Sequence, residues 1–248
     1  MRGLVLLFGV LLGLAAAVLV FGRIDHLRMV AADRLPAWTD TLASGSGLGS
    51  GRIGVSELPP LTESAMLTWA WSGFAGGTPK WDVVLDDVGA KATAVLELSL
   101  GQRLVLLREG QGRLSLSDLT GNLPIPAVDG DVRIDMAQAD FRPSDQRLTR
   151  LEAAGQILGV TLDGQPVGNG PFSLTADVGG GWRLEFQLVS DAVQVQGRLA
   201  GRIGGRKLSL DALITPGADM PKAWSAQLNF LTKPDDQGRW PLRAAFPI

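Results

Sequence analysis

The stretch VQVQGRLAGRIGGRKLSLDALITP, residues 193–216, alternates apolar and polar side chains on both sides of a glycine-rich knot. Side chains on a β-strand point alternately to opposite faces, so Val193, Val195 and Leu199 share one side of a first segment, and Leu208 and Leu210 share one side of the next. The intervening GRIGGRK is too short for a parallel crossover, which needs a dozen or more residues, and reads as a hairpin turn. The stretch predicts two antiparallel strands with one greasy face. What that face covers is the central question: the protein's own core, a lipid or another protein.

The same period extends in both directions. On the amino-terminal side it carries Leu67, Trp69 and Trp71, then Trp81, Val83 and Leu85, then Ala94, Leu96, Leu98 and Leu100. Leu104 and Leu106, Leu114 and Leu116, and Val132, Ile134 and Met136 follow. Phe172, Leu174, Ala176 and Val178 precede Trp182, Leu184, Phe186 and Leu188, and beyond residue 216 the alternation continues through Trp224, Ala226, Leu228 and Phe230. REGQG, VDGD, LDGQPVGNGP, VGGGW and TPGADMP separate these segments as turns. LTRLEAAGQILGV, residues 148–160, has a helix-compatible centre, but Gly155 and Gly159 favour strand pieces.

The predicted fold class is all-β: a strongly curved antiparallel meander of about ten strands, an incomplete barrel or groove-like sheet, preceded by one N-terminal transmembrane helix. The 32 glycines supply positions for bulges and sharp curvature. An outer-membrane barrel fits less well, because its strands run about 9–11 residues and these segments look shorter.

The helix is read from GLVLLFGVLLGLAAAVLVFG, residues 3–22, which carries no charge and is long enough to cross a bilayer. Cleavage behind Ala15, Ala16 and Ala17 is the rival reading, but the apolar run continues through Phe21 and favours a retained anchor. Arg2 on one side and Arg23 and Arg28 on the other leave the positive-inside rule undecided. A long polar-faced β region with no second span favours export of the carboxyl-terminal bulk. The expected organisation is a transmembrane anchor at 1–23, a juxtamembrane helix and Gly/Ser-rich linker at 24–51, and a periplasmic β domain at 52–248. ASGSGLGSG, residues 43–51, suits either a flexible connection or a tight strand turn.

Composition excludes several chemistries. The formal charge of −2 gives no basic excess for nucleic acid. With no cysteine and a single histidine, His26 beside the apolar segment, thiol nucleophiles and multi-histidine metal sites are excluded, and a Ser/His/Asp triad would have to form next to a membrane. Asp86–Asp87 and Asp235–Asp236 are adjacent pairs whose side chains diverge, whereas a shared-proton dyad must converge. GRIGGRK and VGGGW lack the spacing of a phosphate loop. No catalytic set, cofactor site or metal site is expected.

Two candidate sites remain. Trp69, Trp71, Trp81, Trp182, Phe186, Trp224 and Phe230 lie on apolar sides and would fill a core or line a groove for acyl chains or a partner's strand. Arg202, Arg206 and Lys207 offer a candidate anionic contact, weighed against a solvated loop.

GLGSGRIG leading to Trp69 and Trp71, LSLSDLTGNLPIPAVDGDVRIDM, residues 181–216, and the closing LNFLTKPDDQGRWPLRAAFPI together resemble protein N of the bacterial type II secretion system. The chain departs from the common form where Phe230-Leu231-Thr232 replaces a leucine-glycine step. The resemblance implies a noncatalytic accessory subunit in the bacterial inner membrane, single-pass, with its C-terminal domain in the periplasm and other secretion components as partners. Those contacts would use a strand added to an unclosed sheet edge. The other function considered is a lipid- or hydrophobic-cargo-handling envelope protein with an apolar β groove.

Overall fold

The computed structural model describes residues 46–54, 65–99, 101–117, 128–142, 144, 147–202 and 207–247. The predicted anchor at 1–23 and the juxtamembrane helix lie outside the described residues. Among the described residues no helix is long and apolar enough to cross a membrane. The chain divides between Glu97 and Leu98 into two compact units, where the periodicity alone predicts one β domain.

The first unit holds β1 (Ser50–Gly54), β2 (Met66–Ala75), β3 (Thr78–Asp86) and β4 (Ala90–Ser99), whose last two residues lie past the boundary. Each strand pairs antiparallel with the next. Gly76 and Gly77 make the β2–β3 turn with φ of 55° and 85°. A two-residue turn whose twist matches the strands needs positive φ at both central positions, which glycine adopts without a Cβ clash. A bulge between Trp71 and Gly73 inserts one residue into β2, so Trp71 and Phe74 return to the same face.

The second unit holds β5 (Leu104–Ser115), β6 (Val128–Arg142), β7 (Arg147–Leu162), β8 (Gln165–Ala176), β9 (Gly181–Val189), β10 (Val193–Arg202), β11 (Lys207–Pro216) and β12 (Trp240–Pro247). Consecutive strands again pair antiparallel. Among the described residues no pairing between β5 and β12 closes this ladder into a barrel. The segment with the helix-compatible centre is one continuous strand, β7. Ladder bonds to both β6 and β8 override the helix propensity of its Leu-Glu-Ala-Ala run.

Two predictions are corrected. The segments expected to fall short of 9–11 residues run longer, to 15 residues in β6 and 16 in β7, because strand continues through the glycines that read as breaks. The segment of Trp224, Ala226, Leu228 and Phe230 is not a strand but helix α1 (Lys222–Leu231). KAWSAQLNFL contains no β-branched residue and is rich in straight-chain helix formers. The alternation misled because Trp224 and Leu228, four residues apart, also share a helical face. Trp224 and Leu228 are half-buried, whereas Phe230 turns away and is 90% exposed.

The core of the second unit gathers Val132, Ile157, Val160, Phe172 and Leu188 from β6, β7, β8 and β9. The strand register explains the gathering. Ile134, Gly155, Phe172 and Phe186 are successive cross-strand partners and so project to one face.

Candidate functional site

The sheet of the first unit is strapped where the chain enters it. Ser46, only 2% exposed, uses its Oγ to accept the N–H of Arg52 at 3.1 Å and to donate to the Arg52 carbonyl at 3.2 Å. The carbonyls of Gly47 and Leu48 accept the indole N–H groups of Trp69, at 2.9 Å, and Trp81, at 2.6 Å. Buried tryptophan must satisfy its one donor, and these residues do so. Residues 46–49, read from sequence as the end of a linker or a strand turn, are therefore a fitted part of this unit. Trp71 stands edge-on to Trp81, with ring centroids 5.1 Å apart, and to Phe74 at 5.0 Å. Phe74 and Leu48, which the alternation did not single out, are 64% and 55% exposed.

A second device recurs in both units: an aromatic ring laid across the glycine directly opposite it. The pairs are Trp69 on Gly51, Phe172 on Gly155, Phe186 on Gly197 and Trp182 on Gly201. At Gly201 an added Cβ would meet the Trp182 ring at 2.8 Å. The bare Cα lets the ring lie flat, and the ring in turn shields a stretch of ladder that glycine leaves uncovered. Glycines and aromatics, met in the sequence as separate features, form pairs across the strands.

The apolar face of β8–β12 is only partly covered. Leu174, Leu184, Leu199, Leu210 and Ala244 are successive cross-strand partners, and all five are half-buried. The opposite face carries Glu185, Arg198, Asp211 and Arg243 as a row of alternating charge. Arg198 Nε lies 3.3 Å from Glu185 and Arg243 Nε lies 3.7 Å from Asp211. Beside that row an open groove of about 700 Å³ is lined by Pro171, Gln187, Gln196, Leu213 and Pro241.

The outer edges of both ladders are guarded. On β1 the Ser46 hydroxyl occupies both backbone groups of Arg52, and Gly47 N–H donates to the Ser50 carbonyl at 2.7 Å. On β12, Pro241 and Pro247 have the same strand parity. Proline is tolerated in an edge strand only where its nitrogen points away from the ladder, so the outward side lacks donors at both positions. Helix α1 also meets β12, where Trp240, 7% exposed, donates its indole N–H to Asn229 Oδ1 at 2.9 Å.

The predicted site residues fall into separate places. Trp69, Trp71 and Trp81 come together in the first unit. Trp182 and Phe186 lie on β9, and Trp224 and Phe230 lie on α1. Of the cationic trio, Arg202 donates its Nε–H to the Gly179 carbonyl at 3.1 Å, Lys207 opens β11 and is exposed, and Arg206 lies outside the described residues. One member of each acidic pair serves a turn. Asp87 Oδ1 accepts the N–H of Val88, and Asp235 accepts the backbone N–H groups of Gln237 and Arg239 and the Arg239 Nε–H. The Arg239 side chain, followed by the backbone N–H donors, holds the Asp235 carboxyl below its ordinary value. Hydrogen bonding from Arg113 does the same to Asp131, and from Arg150 and then Gln138 to Glu152. Among the described residues no group of three His, Asp or Glu side chains is placed to hold a metal ion.

An antiparallel sheet with partly open apolar faces, aromatic-on-glycine pairs and guarded edges defines an all-β protein built around surfaces. Comparison with protein families gives the identity. Residues 53–243 match the family described as type II secretion system (T2SS), protein N, and the chain belongs to that family, an accessory component of type II secretion. No curated protein and no solved structure matches it significantly.

Proposed function

We propose that this chain is a noncatalytic accessory subunit of the type II secretion machinery, held in the bacterial inner membrane by residues 3–22, with its β region in the periplasm contacting other envelope components. Family membership carries this reading. The uncharged apolar stretch supports the single-pass topology, and the guarded edges bear on how contact is made. With Arg52 engaged by Ser46 and prolines on the outer side of β12, strand addition at these edges is disfavoured, and contact falls to the faces of the sheet.

The test is deletion of the gene in a strain that secretes by this system, with complementation by the full chain and by variants on the β9–β12 polar face. Loss of secreted substrate on deletion, and in vivo crosslinks from that face to another envelope protein, are expected. Normal secretion together with no crosslinked partner would remove the reading.

A second reading is favoured by one observation, the half-buried row Leu174, Leu184, Leu199, Leu210 and Ala244 across five strands. A continuous apolar row left partly open is what a lipid- or hydrophobic-cargo-handling sheet needs. Native mass spectrometry of the detergent-solubilised chain is expected to retain lipid if this face carries cargo. A lipid-free spectrum counts against it.

A further inference from the structure

The strapped end of the first unit gathers Trp71, Trp81 and Phe74 and ties the Leu48 backbone to them. The Leu48 carbonyl receives the Trp81 indole N–H, Trp81 meets Trp71, and Trp71 meets Phe74, with the Leu48 and Phe74 side chains open to solvent. The segments that build it, residues 46–54 and 65–81, contain no acidic residue, and their two cations, Arg52 and Lys80, project to the opposite face of the sheet. Lys80 lies 3.8 Å from Glu97, and Arg52 is exposed. Exposed leucine and phenylalanine at the rim of a tryptophan pair are groups that settle at the interfacial level of a bilayer.

The position of this end in the chain names the surface that covers it. Residues 23–45 separate the apolar stretch at 3–22 from Ser46. Fully extended, that separation spans no more than about 80 Å, and as a helix about 35 Å. A group tied within such a distance of a bilayer experiences it at an effective concentration on the order of 1 mM, enough to populate an interfacial contact too weak to hold a free domain. The opposite end of the unit is unlike it. Val88, 88% exposed at the β3–β4 turn, follows Asp86 and Asp87 directly, and the nine residues of β3 place the two turns roughly 30 Å apart.

We infer that Leu48, Trp71 and Phe74 dock the first unit onto the membrane that holds the anchor, inserting at the lipid interface. This rests on the proposed anchoring by residues 3–22.

The chain has no cysteine, so single nitroxide labels can be placed in the full-length protein. Leu48→Cys and Val88→Cys are labelled separately and reconstituted in phosphatidylethanolamine–phosphatidylglycerol vesicles. Collision with oxygen is then compared with collision with a water-soluble nickel complex, and resistance to carbonate extraction is scored in parallel. The label at 48 is expected to favour oxygen and the label at 88 to favour nickel, with Phe74→Ser shifting the label at 48 toward the ratio seen at 88. If the protein resists carbonate but both labels favour nickel, docking is wrong and anchoring stands. If the label at 48 is shielded from both reagents, protein rather than lipid covers this end and docking is again wrong. If carbonate strips the protein from the vesicles, the anchoring reading fails and takes the docking with it.

Discussion

Phe186 on β9 lies across the Cα of Gly197, its partner on β10, so closely that a Cβ at 197 would stand 2.6 Å from one ring carbon and 2.9 Å from another. The flexible partner in this contact is the side chain, so the ring must swing away if the glycine is replaced. Gly197→Ala is expected to destabilise the protein by about 1–3 kcal/mol in urea unfolding. Adding Phe186→Leu should recover part of the loss, giving a non-additive double-mutant cycle. Simple additivity of the two changes would show that the pair is not coupled.

Gly155→Ala should be worse than Gly197→Ala. The new Cβ would run into the carbonyl of Arg133 on β6, with the carbonyl carbon at 2.9 Å and a Phe172 ring carbon also at 2.9 Å. Backbone in a paired ladder cannot swing aside, so the expected cost exceeds about 3 kcal/mol, the upper end of ordinary overpacking. Equal unfolding midpoints for the two variants would contradict the difference between a backbone and a side-chain obstacle.

Truncating the core tests the gathering of β6 to β9. Phe172→Ala, at a site 8% exposed, is expected to cost about 3–5 kcal/mol. Val178→Ser, at a site 63% exposed, should stay within about 0.5 kcal/mol of the unaltered protein. Chemical denaturation of both, read by tryptophan fluorescence, checks the contrast.

Ser46→Ala removes the one side chain that serves both backbone groups of Arg52. A loss of about 1–3 kcal/mol is expected, because Ser46 is buried and the alanine methyl offers neither backbone group of Arg52 a partner. Hydrogen exchange at the amides of Arg52 and Trp71 should accelerate, since Trp71 N–H depends on the Gly49 carbonyl in the same strap. Unchanged protection at both amides would show that the strap does not hold the edge.

The acid limb follows from three carboxyls with lowered pKa: Asp235 beside Arg239, Asp131 beside Arg113 and Glu152 beside Arg150. Each is ionised more readily in the folded chain than in the unfolded one. Its contribution is present above the ordinary carboxyl range near pH 4 and is lost as pH falls through the lower folded value. Stability should therefore decline from about pH 4 downward, and because the pairs are solvent-exposed, added salt should flatten the decline. Unfolding midpoints that stay level from pH 5 to pH 2.5 would contradict these pairings.

Much of the sheet was legible because each strand has one face in water. The alternation at Trp182, Leu184, Phe186 and Leu188 is that requirement written into the chain, and β9 forms there. Helix α1 was misread because a ten-residue segment with apolar residues at 224, 226, 228 and 230 satisfies the strand period while two of them also satisfy the helical one. The strap was read only as linker or turn because Ser46, Gly47 and Leu48 act through one hydroxyl and two carbonyls, groups that leave no pattern in a sequence. Exposed Phe74 escaped notice because the bulge at Trp71 and Gly73 shifts its parity.

The amino-acid sequence determined that this protein is an antiparallel all-β chain with one apolar side, since period-two burial and short glycine turns permit few other arrangements, and its residues suffice to place it in the type II secretion protein N family. Tertiary structure alone decided which glycine lies under which ring, which edge groups are already engaged and which apolar side chains remain in solvent. Those outcomes depend on strand register and on contacts between residues far apart in the chain, and a slip of one position in pairing would reverse them without altering the alternation at all.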